Sequence, residues 1–375
     1  MNTDNKLKEV GKLFFKLGCF AFGGPAAHIA MMEKEVVEKR KWMTSESFLD
    51  LISATNLIPG PNSTEMTMHC GYERAGKKGL FVAGIAFIFP AVFITGILAW
   101  FYVNYKEVPN VAPFIYGIKP AILPVIAGAV LKLGKKAIKD WQLALLAGLV
   151  VAGCLLGLNE ILLLLSAGLI GASLFYGAKR LNSFTPIALL AGGTGITAKT
   201  GGVFLSFLKV GAILYGSGYV LLPYLKAELV DTGLLSLVEL QDAIAMGQFT
   251  PGPVLSTATF VGFQLDGFWG AIAASIGIFL PSFIFVLLLN PLIPKMRKSV
   301  FLSLFLNSAN AAAVAVMLAV LITMSLDTLL INDLFQWRAL VIIIVCSIMT
   351  FKFKKISVMV TVLTGSVLGY LLYLI

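Results

Sequence analysis

The chain has 375 residues, 58% of them hydrophobic and only 13% charged, with a formal net charge of +10. A soluble domain carries roughly 25% charged residues, so a mean hydropathy of +0.90 means that much of this surface faces lipid and leaves no room for a soluble catalytic domain. The basic residues sit in short clusters between apolar runs, as in cytoplasmic loops, which sets nucleic acid aside as a partner and leaves anionic lipid as the plain reading of the charge.

The N-terminus is polar, its basic residues run on into the apolar stretch and no small-residue cleavage site follows, so no removable leader is expected. An apolar segment interrupted by glycines comes first, at 10–32, and contains Lys16, Gly23, Gly24 and His28. A less hydrophobic stretch follows at 44–75, centred on Pro59-Gly60-Pro61 and too rich in Asn, Ser, Thr, Glu and Asp to lie against lipid. Non-helical backbone at membrane depth survives only where protein or a water-filled cavity surrounds it. The stretch is therefore expected to be a re-entrant or broken helical hairpin. Four firmer spans come next, at 79–103, 109–131, 140–158 and 160–178. The first of these is long enough to cross a hydrocarbon core of roughly 30 Å.

The same order then returns, with 203–224, a stretch at 236–263 around Pro251-Gly252-Pro253, and spans 268–291, 300–325, 335–351 and 356–375. Six matches hold it in register: Lys16 with Lys209, the two PGP triplets, Gly71-Tyr72 with Gly262-Phe263, Pro90 with Pro281, Trp141 with Trp337, and Gly171 with Gly365. Asn56 precedes one triplet and Gln248 the other. Chance would not supply six matches in order, so the chain reads as two repeats. The expected organisation is an N-terminal membrane repeat at 1–180, a linker at 181–202 and a C-terminal repeat at 203–375.

Basic clusters set orientation. In the first half they fall at 34–41, 74–78, 132–139 and 179–180, all on one face if 44–75 is a hairpin. In the second half they follow spans 268–291 and 335–351, and the opposite loop carries Asp327 and Asp333. The same element order with charge at alternate loops means that the second half is inverted. Lys226 and Arg338 do not fit, nor do Lys6, Lys8 and Lys12 if the N-terminus lies outside. Whether 10–32 and 203–224 cross or dip and return is open; if they dip, the linker must itself cross. The fold class is thus an all-α polytopic membrane protein of two inverted-topology repeats with broken or re-entrant hairpins, about 10–12 membrane helical elements in all.

Inverted repeats with broken helices hold substrate near the midplane, where half-helix ends meet. Asn62-Ser63-Thr64 and Ser256-Thr257 follow the two PGP triplets and read as helix N-termini. Two such ends, aimed at one point across a two-fold axis, make an anion site; the alternative is a PGP that only kinks a packed helix. Lys16 and Lys209, matched and set in apolar runs, add positive charge unless they snorkel to an interface. His28, Glu65 and His69 occur in the first half alone. Glu65 and His69 are four apart and so share a helix face, which makes them candidates for proton coupling, or else a structural pair. Cys19, Cys70, Cys154 and Cys346 are scattered singly, without CxxC spacing and with only two histidines in the chain, so neither metal nor cofactor is expected. No nucleophile–base pair can be assembled, and no enzyme is expected.

At this point a resemblance enters. The stretch FGGPAAHIAMMEKEVVEKRKW, the following ATNLIPGPNSTEMTMHCGYERAGKKG and the weaker second copy GQFTPGPVLSTATFVG closely resemble the chromate ion transporter family, in its long-chain, two-domain form. The resemblance implies a secondary transporter in the cytoplasmic membrane of a prokaryote that exports chromate and gives resistance, with the FGGP, PGPNSTEM and TPGP residues as the family's motif positions. Sulfate or another small oxyanion is the alternative substrate, and a passive anion channel on the same fold is the alternative mechanism. Expected partners are the oxyanion and membrane lipid; the oligomeric state, monomer or homodimer, is open.

Overall fold

The computed structural model describes residues 3–21, 25–55, 58–106, 108, 112–176, 199–214, 221–289, 300–331, 334–353, 356 and 358–374. The first half forms α1 (Thr3–Phe20), α2 (Pro25–Glu33) running into a π-helical turn (Lys34–Lys39), α3 (Ser45–Thr55), α4 (Asn62–Tyr105), α5 (Ala112–Ala137), α6 (Trp141–Leu155) and α7 (Glu160–Tyr176). The second half repeats the list with α8 (Thr200–Ile213), α9 (Leu221–Leu225) running into a π-helical turn (Lys226–Val230), α10 (Leu237–Phe249), α11 (Thr257–Leu289), α12 (Val300–Leu329), α13 (Trp337–Lys352) and α14 (Val358–Tyr373). A 3-10 turn, Val254–Ser256, leads into α11. Strand structure among the described residues is confined to a two-residue ladder, Leu330–Ile331 against Leu334–Phe335.

Local chemistry explains the starts of several helices. The Asp140 side chain accepts from the Leu143 N–H at 2.8 Å and caps α6. Ser236 and Glu239 form a reciprocal capping box on α10, which satisfies donors that a helix start leaves free. The segments 62–105, 113–137, 254–288 and 304–329 are long and apolar enough to cross a membrane. Phe81, Ile85, Phe89, Phe93, Ile97 and Trp100 form an exposed stripe down α4, a surface that water would not tolerate and lipid does.

α4 and α11 are each interrupted by one sharp turn. Ala75 and Gly76 leave helical geometry in α4, with Gly76 at φ +64°, and Asp266 and Gly267 do so in α11, with Gly267 at φ +56°. Glycine reaches this left-handed region without steric cost. The chain doubles back at both places. A methyl group on Gly71 would stand 2.3 Å from the Gly79 carbonyl oxygen, and one on Gly262 would stand 2.3 Å from that of Gly270. In the second hairpin Thr259 and Ser275 also join hydroxyls at 2.8 Å. Segments 62–74 and 257–265 therefore lie antiparallel on the long helices 77–105 and 268–289. Small residues at such a crossing let the backbones touch, which is what packing within a membrane rewards.

Helix packing follows a two-fold pattern. α1 packs on α4 as α8 packs on α11, and α4 and α11 pack on each other. Beyond them the halves exchange helices, because α6 and α7 lie on α12 while α13 and α14 lie on α5. The contacts match in detail: a methyl on Gly117 would meet the Gly365 carbonyl oxygen at 2.1 Å, and one on Gly171 would meet the Ser308 hydroxyl at 2.0 Å.

The polar ends give the direction of each element. Glu9 of α1 accepts from Trp42 Nε1 at 3.2 Å and from Arg74 at 2.7 Å, and lies 3.9 Å from Arg40. The start of α1, the end of the first π turn and the 75–76 turn thus share one face, which carries most of the basic clusters. α1 and α2 consequently dip and return, settling what the sequence leaves open and placing Lys6, Lys8 and Lys12 with the other basic residues. In the second half the matching ends lie at the opposite face. Glu239 at the start of α10 pairs with Lys106 at the end of α4, at 3.5 Å, and Lys226 of the second π turn pairs with Glu160 at the start of α7, at 2.9 Å. The two halves run antiparallel, and the misplaced Lys226 is neutralised by Glu160 and by Asp231 at 3.3 Å. The linker's own path falls outside the described residues.

Candidate functional site

Each half contributes two pairs of helices whose outer ends share one face, and the described inner ends meet across the halves. The Gly60 N–H donates to the Leu214 carbonyl at the end of α8, at 2.6 Å, and the Gly252 N–H donates to the Ala21 carbonyl at the end of α1, at 2.9 Å. Each PGP glycine is thus tied to the other half's first hairpin. Both have positive φ, +139° at Gly60 and +84° at Gly252, which a side chain would strain. Space forbids one as well: a methyl on Gly60 would stand 2.5 Å from Ser282 Oγ, and one on Gly252 would stand 2.9 Å from Ala91 Cβ. Ser282 and Ala91 follow Pro281 and Pro90, so each tip rests on the other half's long helix just past its proline.

Pro61 and Pro253 occupy the cap positions in extended conformation. Asn62, Ser63 and Thr64 open α4, and Ser63, Thr64 and Glu65 are all buried. Ser256 and Thr257 are buried at the start of α11. Their hydroxyls are occupied: Ser256 Oγ accepts from Thr95 Oγ1 at 3.1 Å and lies 3.4 Å from Thr250 Oγ1, while Thr257 Oγ1 donates to the Val254 carbonyl at 2.8 Å. The first tip differs. Thr64 Oγ1, both carboxyl oxygens of Glu65 and the facing Ser282 Oγ have no hydrogen-bond partner among the described residues. Buried polar groups are normally paired, and leaving one unpaired costs about 1–3 kcal/mol. This is where polar demand gathers. Glu65 approaches closest of all, since a methyl on Gly60 would stand 2.3 Å from its Oε1.

His28 Nε2 donates to the Ala21 carbonyl at 3.0 Å, the same oxygen that receives the Gly252 N–H. It therefore braces the contact between the halves. His69 is buried one turn after Glu65, but the hydrogen bond between them that their spacing suggests is not made. Lys209 is engaged by Glu228 at 2.9 and 3.2 Å, whereas the matched Lys16 is exposed. Gly23, Gly24 and Asn56 lie outside the described residues, as does the side chain of Gln248. No cluster of three His, Cys, Asp or Glu suited to a metal occurs among the described residues.

Sequence reasoning missed a second polar cluster. Asp242 of α10, only 3% exposed, accepts a hydrogen bond from Tyr102 of α4 and pairs with Lys119 of α5 at 3.4 Å. The available signal was a lone lysine between Ile118 and Pro120 inside span 109–131, and an aspartate nine residues ahead of Pro251. Charges inside apolar spans mark function by default.

A family model described as "Chromate transporter" matches residues 8–172 and again 201–370. The "Probable chromate transport protein" of Synechococcus elongatus is 31% identical over 320 residues, 82% of this chain and 81% of that protein. The "Chromate transport protein" of Cupriavidus metallidurans is 27% identical over 98% of this chain and 93% of its own length. An uncharacterized transporter of Methanocaldococcus jannaschii is 29% identical over 96% and 92%. No solved structure matches.

Proposed function

The chain belongs to the chromate transporter family, and we propose that it is a secondary transporter that exports chromate across the cytoplasmic membrane and thereby confers resistance to it. The protein is a multi-pass protein of the cell membrane. The observation that carries the reading is the meeting of the hairpin turns, in which the Gly60 and Gly252 N–H groups bind the opposite half beside a buried cluster of Thr64, Glu65 and Ser282 that lacks hydrogen-bond partners among the described residues. A helix start suits an oxyanion, and rocking one half against the other about such a point would expose it to either face in turn.

Within this reading Asn62, Ser63 and Thr64 bind the anion from the first tip and Ser256 and Thr257 from the second, while Glu65, with His28 and His69 of the same half, carries the coupling proton. Two carboxyl oxygens without donors suit a group that is protonated when the anion is present, since a buried unpaired carboxylate is costly. Lys209 would contribute only by leaving Glu228.

Everted membrane vesicles test the proposal. Chromate should accumulate in vesicles that contain the protein and respond to an imposed pH or potential gradient. Flux that merely follows the anion's own gradient would make the protein a channel, and absence of chromate flux would remove the substrate assignment.

A further inference from the structure

The Tyr102–Asp242–Lys119 cluster joins two helices of the first half, α4 and α5, to α10 of the second. It lies between the second PGP tip and the face opposite the basic one. One turn further out on the same two helices, Lys106 and Glu239 pair at 3.5 Å, and Lys106 Nζ stands 5.4 Å over the Tyr102 ring. About two turns inward, Thr95, Ser256 and Thr250 bring a run of hydroxyls to the tip. A polar file therefore descends from that face to the meeting point of the halves, and the Lys119–Asp242 pair interrupts it.

The pair is unequally made. Asp242 Oδ2 is occupied by Tyr102, but Oδ1, which faces Lys119, has no hydrogen bond among the described residues. The Lys119 side chain retains 23% exposure against 3% for Asp242, so the cation is the less enclosed partner. The groups that face Asp242 are Tyr102 and Lys106 from α4 and Lys119 from α5. Glu239 on its own helix is engaged by Lys106, and the neighbouring π turn's Lys226 and Glu228 are engaged by Glu160 and Lys209. A buried ion pair adds little stability over an apolar pair of the same size, so stability alone does not account for this one.

Resting on the reading of the protein as an oxyanion transporter, we propose that Lys119 is a second anion-binding cation on the path to the opposite face, and that Asp242 is the internal anion it holds when no substrate is there. A proton adds to Asp242 Oδ1, the Lys119–carboxylate ion pair breaks, and Lys119 Nζ pairs with an oxygen of the entering dianion. On release the anion leaves Lys119, the proton leaves Asp242 and the pair reforms. One proton binds with each dianion, so the complex carries one net negative charge, and an inside-negative potential favours its outward movement.

Sulfate is the probe, because its charge stays constant over the pH range used. Purified protein is titrated with sulfate from mildly acidic to mildly alkaline pH, and sulfate uptake is followed in proteoliposomes. Wild-type affinity should rise about tenfold for each unit by which pH falls, the slope of one coupled proton. Asp242→Asn should bind sulfate with a flat pH profile, Lys119→Met should lose binding at least tenfold, and Lys119→Arg should keep it. If single variants misfold, the double variant Lys119→Met/Asp242→Asn, which strands no charge, should fold and still fail to transport. A wild-type slope in Asp242→Asn, or normal transport in Lys119→Met or in the double variant, overturns the inference. If the wild type moves neither sulfate nor chromate, the fault lies with the oxyanion reading itself.

Discussion

The two hairpin tips are built alike and equipped differently. Both place a glycine at positive φ between two prolines, both donate its N–H to the opposite half, and both rest on a long helix just beyond a proline. Yet Thr64 and Glu65 of the first tip lack hydrogen-bond partners among the described residues, while Ser256 and Thr257 at the matching positions of the second are satisfied. The backbone is constrained in both copies because the two halves hold one another at these points, and a change in either would loosen both. Side-chain chemistry is free to diverge, since one equipped tip suffices at a shared site. The second half keeps buried acids elsewhere, at Glu228 and Asp242, ahead of its tip.

The largest effect should come from what the halves share. Gly71→Ala and Gly262→Ala each drive a methyl into a carbonyl oxygen at 2.3 Å, and overpacking costs about 1–3 kcal/mol, sometimes more. Both variants should lose most folded protein to a similar degree, measured by detergent-extracted monodisperse yield; a robust fold from only one of them would show that the hairpins differ in importance. Next comes the contrast between tips. Glu65→Gln should cut transport about tenfold or more while abundance holds, in keeping with about 1.5–3 kcal/mol for interactions of a charged group, and Thr257→Val should stay within about threefold. Equal losses at the two positions would make the tips functionally equivalent.

The lysines sharpen the same contrast. Lys209→Met strands the buried Glu228, an uncompensated charge worth about 3–5 kcal/mol, so thermal stability should fall and Lys209→Met/Glu228→Gln should recover it. Lys16→Met, at an exposed site, should stay within about 0.5 kcal/mol. If Lys16→Met abolishes transport with the fold intact, the exposed lysine acts on the anion after all. The mildest test substitutes single cysteines into a chain cleared of its four native ones. Positions 4 and 135 should label from the cytoplasmic side and position 327 from outside, and labelling of 4 and 135 from opposite sides would undo the dipping of α1 and α2.

Much of this architecture is legible in the sequence, and the reasons are particular. The PGP triplets, the glycines at 71 and 262 and the prolines at 90 and 281 are fixed by backbone geometry, so they persist in both copies and betray the repeat. Charge at alternate loops gives the inversion, because moving lysine across a bilayer is costly. Glu65 stands out for a similar reason, as the one carboxylate between Pro61 and Gly71.

What the sequence by itself determined is therefore the membrane environment, the two repeats, their opposite sense and the special residues of each turn, since each follows from local composition or from a spacing along one segment. What only the tertiary structure decided are the pairings between segments far apart in the chain. Gly60 with Leu214, Gly252 with Ala21 and Asp242 with Tyr102 and Lys119 depend on how the antiparallel halves pack on one another. A charge in an apolar run shows that a partner must exist, because an unpaired one is too costly to bury, but any acid on a neighbouring helix would serve, and only packing selects which.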